Sequence, residues 1–235
     1  MKDWRLIYII FAKSEDKLYI SNKNRQAYFV LLSVCIIFVR INLKNCNVMF
    51  DKETYVQRRA LLKKNIGSGV LLFLGNDEQG LNYEDNAFRY RQDSTFLYYF
   101  GLSFAGLSAI IDIDEDKEII FGDELTIDHI VWMGTQPTLK EKSERVGIRE
   151  TLPSAAIISY LHKAVQKGQT VHYLPPYRPE HKLKLMDWLG IPPARQEGSV
   201  PFIRAVVAQR NYKSAEEIAE IEKACDVTAD MHIKA

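Results

Sequence analysis

The sequence predicts an α/β fold in which a mixed β-sheet is flanked by helices. Short β-rich apolar runs alternate along the chain with stretches of helical periodicity, an order typical of α/β sheets. Two of these runs, residues 107–113 and 118–121, are separated only by the polar segment 114–117, which predicts a hairpin. The last helix carries an apolar stripe with no partner after it, so we expect the fold to be followed by the truncated start of a second domain.

Residues 1–48 differ from the rest of the chain and form an atypical hydrophobic leader that need not belong to the fold. Residues 27–39 are almost uninterruptedly apolar. A spanning helix needs about 20 apolar residues, so a membrane segment would have to extend to residue 43, past Arg40. A signal peptide would need a shorter leader and a cleavage site of small residues. Two interpretations stay open: a membrane or export segment, or sequence that lies upstream of a start at Met49.

The first predicted helix follows directly after Met49. Asp51 is placed to cap it, and Phe50 and Tyr55 are spaced as a hydrophobic staple. Gly67 or Gly69 should end the helix. Its apolar positions are Val56, Ala60 and Leu62.

The elements after this helix follow in a regular order. Residues 70–74 are a continuous apolar run, which predicts a strand buried on both faces, and residues 76–86 form a polar loop. After the hairpin we expect a strand over 127–133, with Trp132 at its end and Gly134 allowing a turn. A helix over 139–145 follows, which Thr138 opens and Gly147 closes, and then a helix from Pro153 to Gly168 with Ile158, Leu161 and Val165 on one face. The remaining elements are a strand over 170–174, a helix over 179–189 and a break at Pro192-Pro193.

The last predicted helix begins with a capping box. Ser214 and Glu217 have the spacing of reciprocal caps, and Ile218, Ile221, Cys225 and Thr228 follow at helical intervals. These residues form the apolar stripe that has no partner after it, which is why we expect a second domain to follow.

Composition excludes several functional classes. Of the 235 residues, 47% are hydrophobic and 26% are charged. The net charge is +1, so the sequence lacks the excess of positive charge that is typical of nucleic-acid-binding proteins. Cys35, Cys46 and Cys225 suggest neither a disulfide framework nor a zinc site and fit a reducing compartment. The histidines are scattered without ligand spacing. The alternating Asp112, Asp114 and Asp116 bracket the hairpin turn and are interpreted as turn residues rather than a calcium site.

Residues 88–101 combine an unusual number of aromatic and polar side chains. In an extended chain Arg89 and Arg91 share one face, and Phe88, Tyr90 and Gln92 share the other. A helix starting at Asp93 or Ser94 would account for the aromatic run up to Gly101.

At these residues the sequence resembles a known family. The pattern Phe-Arg-x-x-Gln-Asp-Ser-x-Phe-x-Tyr-x-x-Gly is similar to the signature of the N-terminal domain of Xaa-Pro aminopeptidases (aminopeptidase P), which prolidase and creatinase share. Trp132-x-Gly134 and Arg210-x-x-Lys213-Ser214-x-x-Glu217-Ile218 extend the resemblance in the family's order. It covers the chain from about Met49 to the last residue.

The resemblance implies a domain organisation and an activity. Residues 49–205 would be the aminopeptidase P N-terminal domain, and residues 206–235 a linker and the first helix of a truncated catalytic domain. The family hydrolyses the bond between an N-terminal residue and proline, with a pair of divalent metals, manganese or another, held by two aspartates, a histidine and two glutamates. Those ligands belong to the catalytic domain, so we expect no catalytic residue, metal or cofactor in this chain and no activity from it alone.

The resemblance also implies partners. These are the chain's own catalytic domain, other subunits of a homo-oligomer, and proline-containing peptides in the full enzyme. From the net charge we expect no nucleic-acid partner, and we expect a cytoplasmic location without a membrane unless residues 27–43 are a membrane or export segment. In oligomeric family members the N-terminal domain of one subunit lies over the active-site mouth of another. A stand-alone peptide- or protein-binding module of the same fold is the alternative.

The candidate contact residues in this chain are Arg91, Asp93, Tyr98 and Tyr99. One interpretation makes Arg91 and Asp93 an ion pair that, together with Arg89, only holds the domain together. The other lets Tyr98, Tyr99 and Phe100 face a peptide or a partner subunit. In some relatives a tryptophan precedes the tyrosine; here that position is Leu97.

Overall fold

The fold is built on a five-stranded sheet with strand order β4-β3-β2-β1-β5. The computed structural model describes residues 48–83 and 86–234. The strands are β1 (Val70–Leu74), β2 (Ser108–Asp112), β3 (Lys117–Phe121), β4 (Glu150–Leu152) and β5 (Val171–Tyr173). β2 pairs antiparallel with β1 and β3, whereas the outer strands β5 and β4 pair parallel with β1 and β3. The predicted mixed sheet and its hairpin are therefore confirmed.

Helices cover both faces of this sheet. They are α1 (Lys52–Ile66), α2 (Ser94–Phe100), α3 (Ile127–Met133), α4 (Leu139–Glu144), α5 (Ala156–Gln166), α6 (Pro179–Leu189), α7 (Val200–Asn211) and α8 (Ala215–Lys234), with a 3₁₀ turn at Pro193–Arg195. None of the helices within the described ranges is both long and apolar enough to cross a membrane.

The two faces of β1 enter two separate cores. Leu71 and Phe73 point into an aromatic cluster formed with α1, α2 and α7. Val70 and Leu72 point into an aliphatic cluster formed with α5 and α6. β1 lies between β2 and β5 and is covered on both sides, as its unbroken apolar sequence predicts.

The buried face of α1 differs from the prediction. The helix ends at Gly67 and the staple forms as expected, with the rings of Phe50 and Tyr55 6.2 Å apart, but the side chain of Asp51 makes no cap hydrogen bond. The side chains that turn inward, however, are Tyr55, Arg58, Arg59 and Leu62, whereas Val56 is 41% exposed and Ala60 is exposed. Two arginines occupy core positions because carbonyl and carboxylate groups from distant segments surround their guanidinium groups.

The strand predicted over residues 127–133 is wrong, because this segment is helix α3. Thr126 caps it through a hydrogen bond from the backbone N–H of His129 to Thr126 Oγ1, and Asp128 lies in its first turn. Its β-branched residues suggested a strand, but Trp132 is 87% exposed and is not a buried residue at a strand end. Gly134 does end the element, with a positive φ of 76°.

Two further differences concern helices. In α5 the buried residues are Ile157, Leu161 and Ala164, so the predicted face is rotated, and Val165 is 54% exposed. No helix is predicted from the sequence for residues 200–211, where α7 lies. The predicted domain boundary between residues 205 and 206 falls inside α7. The hydrophobic segment 27–43 lies outside the described residues.

Candidate functional site

The segment that leads into α2 is held by its inward side chains. Gln92 is buried; its Oε1 accepts hydrogen bonds from the N–H groups of Asn76 (2.8 Å) and Asp93 (2.9 Å). Its Nε2 donates to the carbonyls of Leu102 and Phe104, and the Tyr90 hydroxyl also donates to Phe104 O at 2.7 Å. Arg91, on the other face, is exposed. The predicted alternation therefore holds for Tyr90, Arg91 and Gln92 but not for Phe88, which is 56% exposed, and Gln92 emerges as a structural residue.

Asp93 caps α2. Its Oδ1 accepts hydrogen bonds from the N–H groups of Thr95 and Phe96, both at 2.9 Å. Gly101 ends the helix in the left-handed conformation with a φ of 62°. The suggested ion pair between Arg91 and Asp93 is not present among the described residues, because the carboxylate is directed at the helix N-terminus instead.

Tyr98 lies between two arginines from different helices. The guanidinium carbon of Arg58 is 4.0 Å from the centre of the Tyr98 ring, and that of Arg210 is 5.7 Å away. Arg58 Nη1 also donates to the Tyr98 carbonyl at 2.8 Å. Burial raises the pKa of Tyr98, although Arg58 opposes the shift. This packing is a cation–π arrangement that joins α1, α2 and α7.

Tyr99 contributes to the core. It is 0% exposed, its hydroxyl donates to Gln209 Oε1 at 2.8 Å, and its ring lies 5.4 Å from that of Phe73. Burial raises its pKa well above the usual range. Phe100 is likewise 0% exposed. Of the three aromatic residues suggested to face a peptide, Tyr98 lines a cavity, whereas Tyr99 and Phe100 are fully buried in the core.

That cavity has a volume of about 640 Å³ and is lined by residues of two separate sequence motifs. Arg91 and Tyr98 come from the stretch 88–101, and Arg210, Lys213 and Glu217 come from the later pattern. The capping box predicted for the later pattern forms: Glu217 Oε2 accepts from Ser214 N at 3.0 Å, and Ser214 Oγ accepts from Glu217 N at 3.3 Å. The fold therefore brings the two motifs together, and we call this space the α1–α8 cavity.

Asp93 lines a different, smaller cavity. This space of about 230 Å³ lies where the parallel strands β1 and β5 end, and it also contains Tyr177 and His181. His181 is 3% exposed, and its Nε2 lies 3.1 Å from the carbonyl oxygen of Gly75. Burial lowers the pKa of His181. The four predicted contact residues thus divide among two cavities and the core.

The described residues contain no group of three or more His, Cys, Asp or Glu side chains placed to hold a metal ion. The aspartates of the hairpin turn are engaged with protein groups. Asp112 accepts from the Tyr160 hydroxyl and from Gln169, Asp114 accepts from the backbone of Gly69, and Asp116 pairs with Lys63. This part of the chain offers no donor set for the divalent metal pair that the family resemblance implies.

Comparison with known proteins confirms the family resemblance of the sequence. Residues 55–173 match the family described as the N-terminal domain of aminopeptidase P. The chain is 28% identical over 168 residues to a probable Xaa-Pro aminopeptidase of Chaetomium globosum, a match that covers 70% of this chain and 27% of that protein. It is also 33% identical over 76 residues to the human Xaa-Pro dipeptidase, covering 31% of this chain and 15% of that protein.

Solved structures show the same fold. Pseudomonas aeruginosa aminopeptidase PepP superposes with a TM-score of 0.67 at 23% identity, over 80% of this chain and 45% of that one. Escherichia coli aminopeptidase P with the inhibitor Pro-Leu superposes with a TM-score of 0.61 at 21% identity, over 78% of this chain and 44% of that one. The chain thus spans less than half the length of these relatives. Because the family match covers half of the sequence, the chain belongs to the aminopeptidase P N-terminal domain family.

Proposed function

We propose that this chain is the non-catalytic N-terminal domain of a metal-dependent Xaa-Pro aminopeptidase. In this role it covers the active site that cleaves N-terminal Xaa-Pro bonds and supports the assembly of a homo-oligomer. The observation that carries the proposal is the family match over residues 55–173, which is to a domain that lies N-terminal in the peptidases. The manganese or other divalent metal pair would be held by the catalytic domain.

The position of α8 supports this proposal. The helix is anchored to the fold at its start, where Glu217 Oε1 lies 3.5 Å from Arg58 Nη2. Beyond the α1–α8 cavity it exposes apolar side chains: Val227 is 62% and Met231 67% exposed. An exposed apolar stripe on a helix suits packing against another domain. We propose that the catalytic domain packs there.

An activity assay tests the non-catalytic role. The purified 235-residue chain is incubated with an Xaa-Pro peptide and manganese, and release of the N-terminal residue is measured. We expect no release above the protein-free rate. Proline-specific cleavage that co-purifies with the chain and is abolished by a chelator would refute the role.

A stand-alone binding module is the second candidate, and the α1–α8 cavity favours it because its aromatic and cationic lining lies within this chain. The genomic sequence downstream of codon 235 separates the two candidates. A reading frame that continues into a domain with the metal ligands supports the peptidase subunit. A stop codon with no such gene nearby supports the binding module.

We further propose a cytoplasmic location. Expressing the chain from Met1 and from Met49 and fractionating the cells tests it. We expect both products in the soluble cytoplasmic fraction, and membrane recovery of the longer product alone would contradict this.

A further inference from the structure

The α1–α8 cavity has the dimensions and lining of a ligand site. Its volume of about 640 Å³ falls inside the range of roughly 300–1,000 Å³ typical of small-molecule pockets. Such pockets combine apolar walls with a few polar groups that fix orientation. Here the aromatic walls include Phe50 and Tyr98, and the charged groups are mainly cationic.

Arg58 carries a nitrogen in this lining that makes no hydrogen bond. The residue is 8% exposed, and its Nη1 donates to the Tyr98 carbonyl at 2.8 Å. Its Nη2 is buried and has no hydrogen-bond partner. Glu217 Oε1 lies 3.5 Å from Nη2, close enough for an ionic contact but too far for a strong hydrogen bond. A buried donor without an acceptor is costly, and an oxygen from a ligand would remove that cost.

The other charged groups of the cavity leave an excess of donors. The lining contains Arg58, Arg91, Arg210 and Lys213, which are four cations, against the two carboxylates of Glu217 and Glu220. Glu217 Oε2 is occupied by its own helix cap, and Glu220 pairs with a lysine on α8.

Two of the cations also have partners in the protein. Arg210 donates to Thr95 Oγ1 at 3.0 Å, and Lys213 donates to the Arg210 carbonyl. The exposed guanidinium group of Arg91 makes no hydrogen bond or ion pair with any described residue. Arg91 therefore provides an accessible cation, and Arg58 a buried one.

The aromatic groups determine what else a ligand would contain. The guanidinium carbon of Arg58 lies 4.8 Å from the Phe50 ring centre and 4.0 Å from that of Tyr98, so this guanidinium group covers one face of each ring. The apolar wall that remains is formed by Leu97 and Ile221, and flat apolar or aromatic groups pack well against such a surface.

We propose that the α1–α8 cavity binds a small organic acid with an aromatic body. Its carboxylate pairs with Arg91 and Arg58, whose planar guanidinium groups match carboxylate geometry, and its ring packs against the apolar wall that Leu97 and Ile221 provide. This proposal does not depend on the peptidase assignment.

The test uses the full chain and a matched pair of probes in isothermal titration calorimetry. The acid is N-benzoyl-phenylalanine and its neutral counterpart is the primary amide of the same compound. We expect saturable binding of the acid with a Kd of roughly 1 mM or tighter, and binding of the amide at least about tenfold weaker, since tenfold in Kd corresponds to one lost charge-assisted contact. Inorganic phosphate is titrated in a third arm and should not bind.

Variants locate the site. Arg91→Gln should weaken binding of the acid about tenfold, whereas Arg89→Gln, at an exposed arginine that does not line the cavity, should leave it unchanged. Arg58→Gln should also weaken binding, provided that its thermal unfolding curve shows a folded protein; Arg91→Gln decides the matter if it does not. Equal binding of acid and amide, binding of phosphate instead of the acid, equal effects at positions 89 and 91, or no saturation would each overturn the proposal.

Discussion

Arg59 provides a sharp test of how this fold is held together. Its side chain is 0% exposed, and its three guanidinium nitrogens each donate to a different element. Nε donates to Glu118 Oε2 on β3 at 2.8 Å, Nη1 to the Tyr99 carbonyl on α2 at 2.9 Å, and Nη2 to the Val146 carbonyl at 2.9 Å. Burial lowers the pKa of Arg59, and Glu118 opposes that shift. One side chain thus joins segments separated by 40 to 87 residues along the chain.

We expect Arg59→Met to lower the free energy of unfolding by about 3 kcal/mol. Removing one partner of a buried ion pair costs roughly 3–5 kcal/mol, because the groups left behind lose their hydrogen bonds in a place that water does not reach. The Tyr99 and Val146 carbonyls would be left buried without the hydrogen bonds that Arg59 donates. Glu118 would not, since Lys63 Nζ lies 3.2 Å from its other oxygen. The apolar methionine also fills most of the vacated volume, and both effects place the loss near the lower end of the range.

Urea unfolding followed by circular dichroism measures this loss, with Lys64→Met as the control. Lys64 lies on the same helix but is exposed, so its replacement should change the free energy of unfolding by no more than about 0.5 kcal/mol. A loss below about 1 kcal/mol for Arg59→Met, or equal losses for the two variants, would show that the buried guanidinium group does not stabilise the fold as argued.

Three further predictions follow from local geometry. Asp93→Ala should cost about 1 kcal/mol of unfolding free energy in urea, whereas Asp51→Ala, whose carboxylate makes no cap hydrogen bond, should cost almost nothing; equal costs would contradict the capping role. Gly101→Ala should cost about 2 kcal/mol more than Gly106→Ala, because both have positive φ but only at 101 would the new Cβ lie 2.4 Å from a ring carbon; similar melting temperatures would count against this. Because burial lowers the folded-state pKa of His181, the unfolded state binds more protons, so stability should fall as the pH drops below about 6.5, at up to about 1.36 kcal/mol per pH unit. His181→Asn should flatten that slope, and an unchanged slope would refute the assignment.

Local signals in the sequence are sufficient for the elements that depend on neighbouring residues. The strand at 70–74, the hairpin turn and the helix Pro179–Leu189 all follow from short patterns of apolar residues, glycine and proline. The caps at Asp93 and Ser214 follow in the same way, because a cap hydrogen bond spans only two or three residues.

Features that depend on distant partners could not be predicted in this way. Arg59 reaches the core only because Glu118 and two carbonyls from other segments meet it there, and hydropathy assigns arginine to the surface. The segment Ile127–Met133 has β-branched residues but pairs with no strand in the described part of the chain, and it is a helix capped by Thr126.

The candidate site was predictable in its parts but not in its assembly. Tyr98 and Arg210 belong to motifs that the sequence displays, yet they meet only because α7 packs against α2, and that helix has no clear signal beyond Pro201 near its start. Arg58, which stacks on Tyr98, has no sequence signal of its own. Hydropathy does not identify the face of α1 that carries Arg58, so the part this side chain plays in the site is seen only in the structure.

The brevity of the outermost strands bears on how copies of this chain would associate. β4 and β5 form the two margins of the sheet and contain three residues each. Long, open margins of a sheet let a second molecule add its own strand and lead to fibrillar aggregation, and short margins discourage it. The sheet is therefore poorly suited to grow from one molecule into the next. We expect any homo-oligomer of this protein to be joined through helix surfaces and loops rather than through the sheet formed by the described residues.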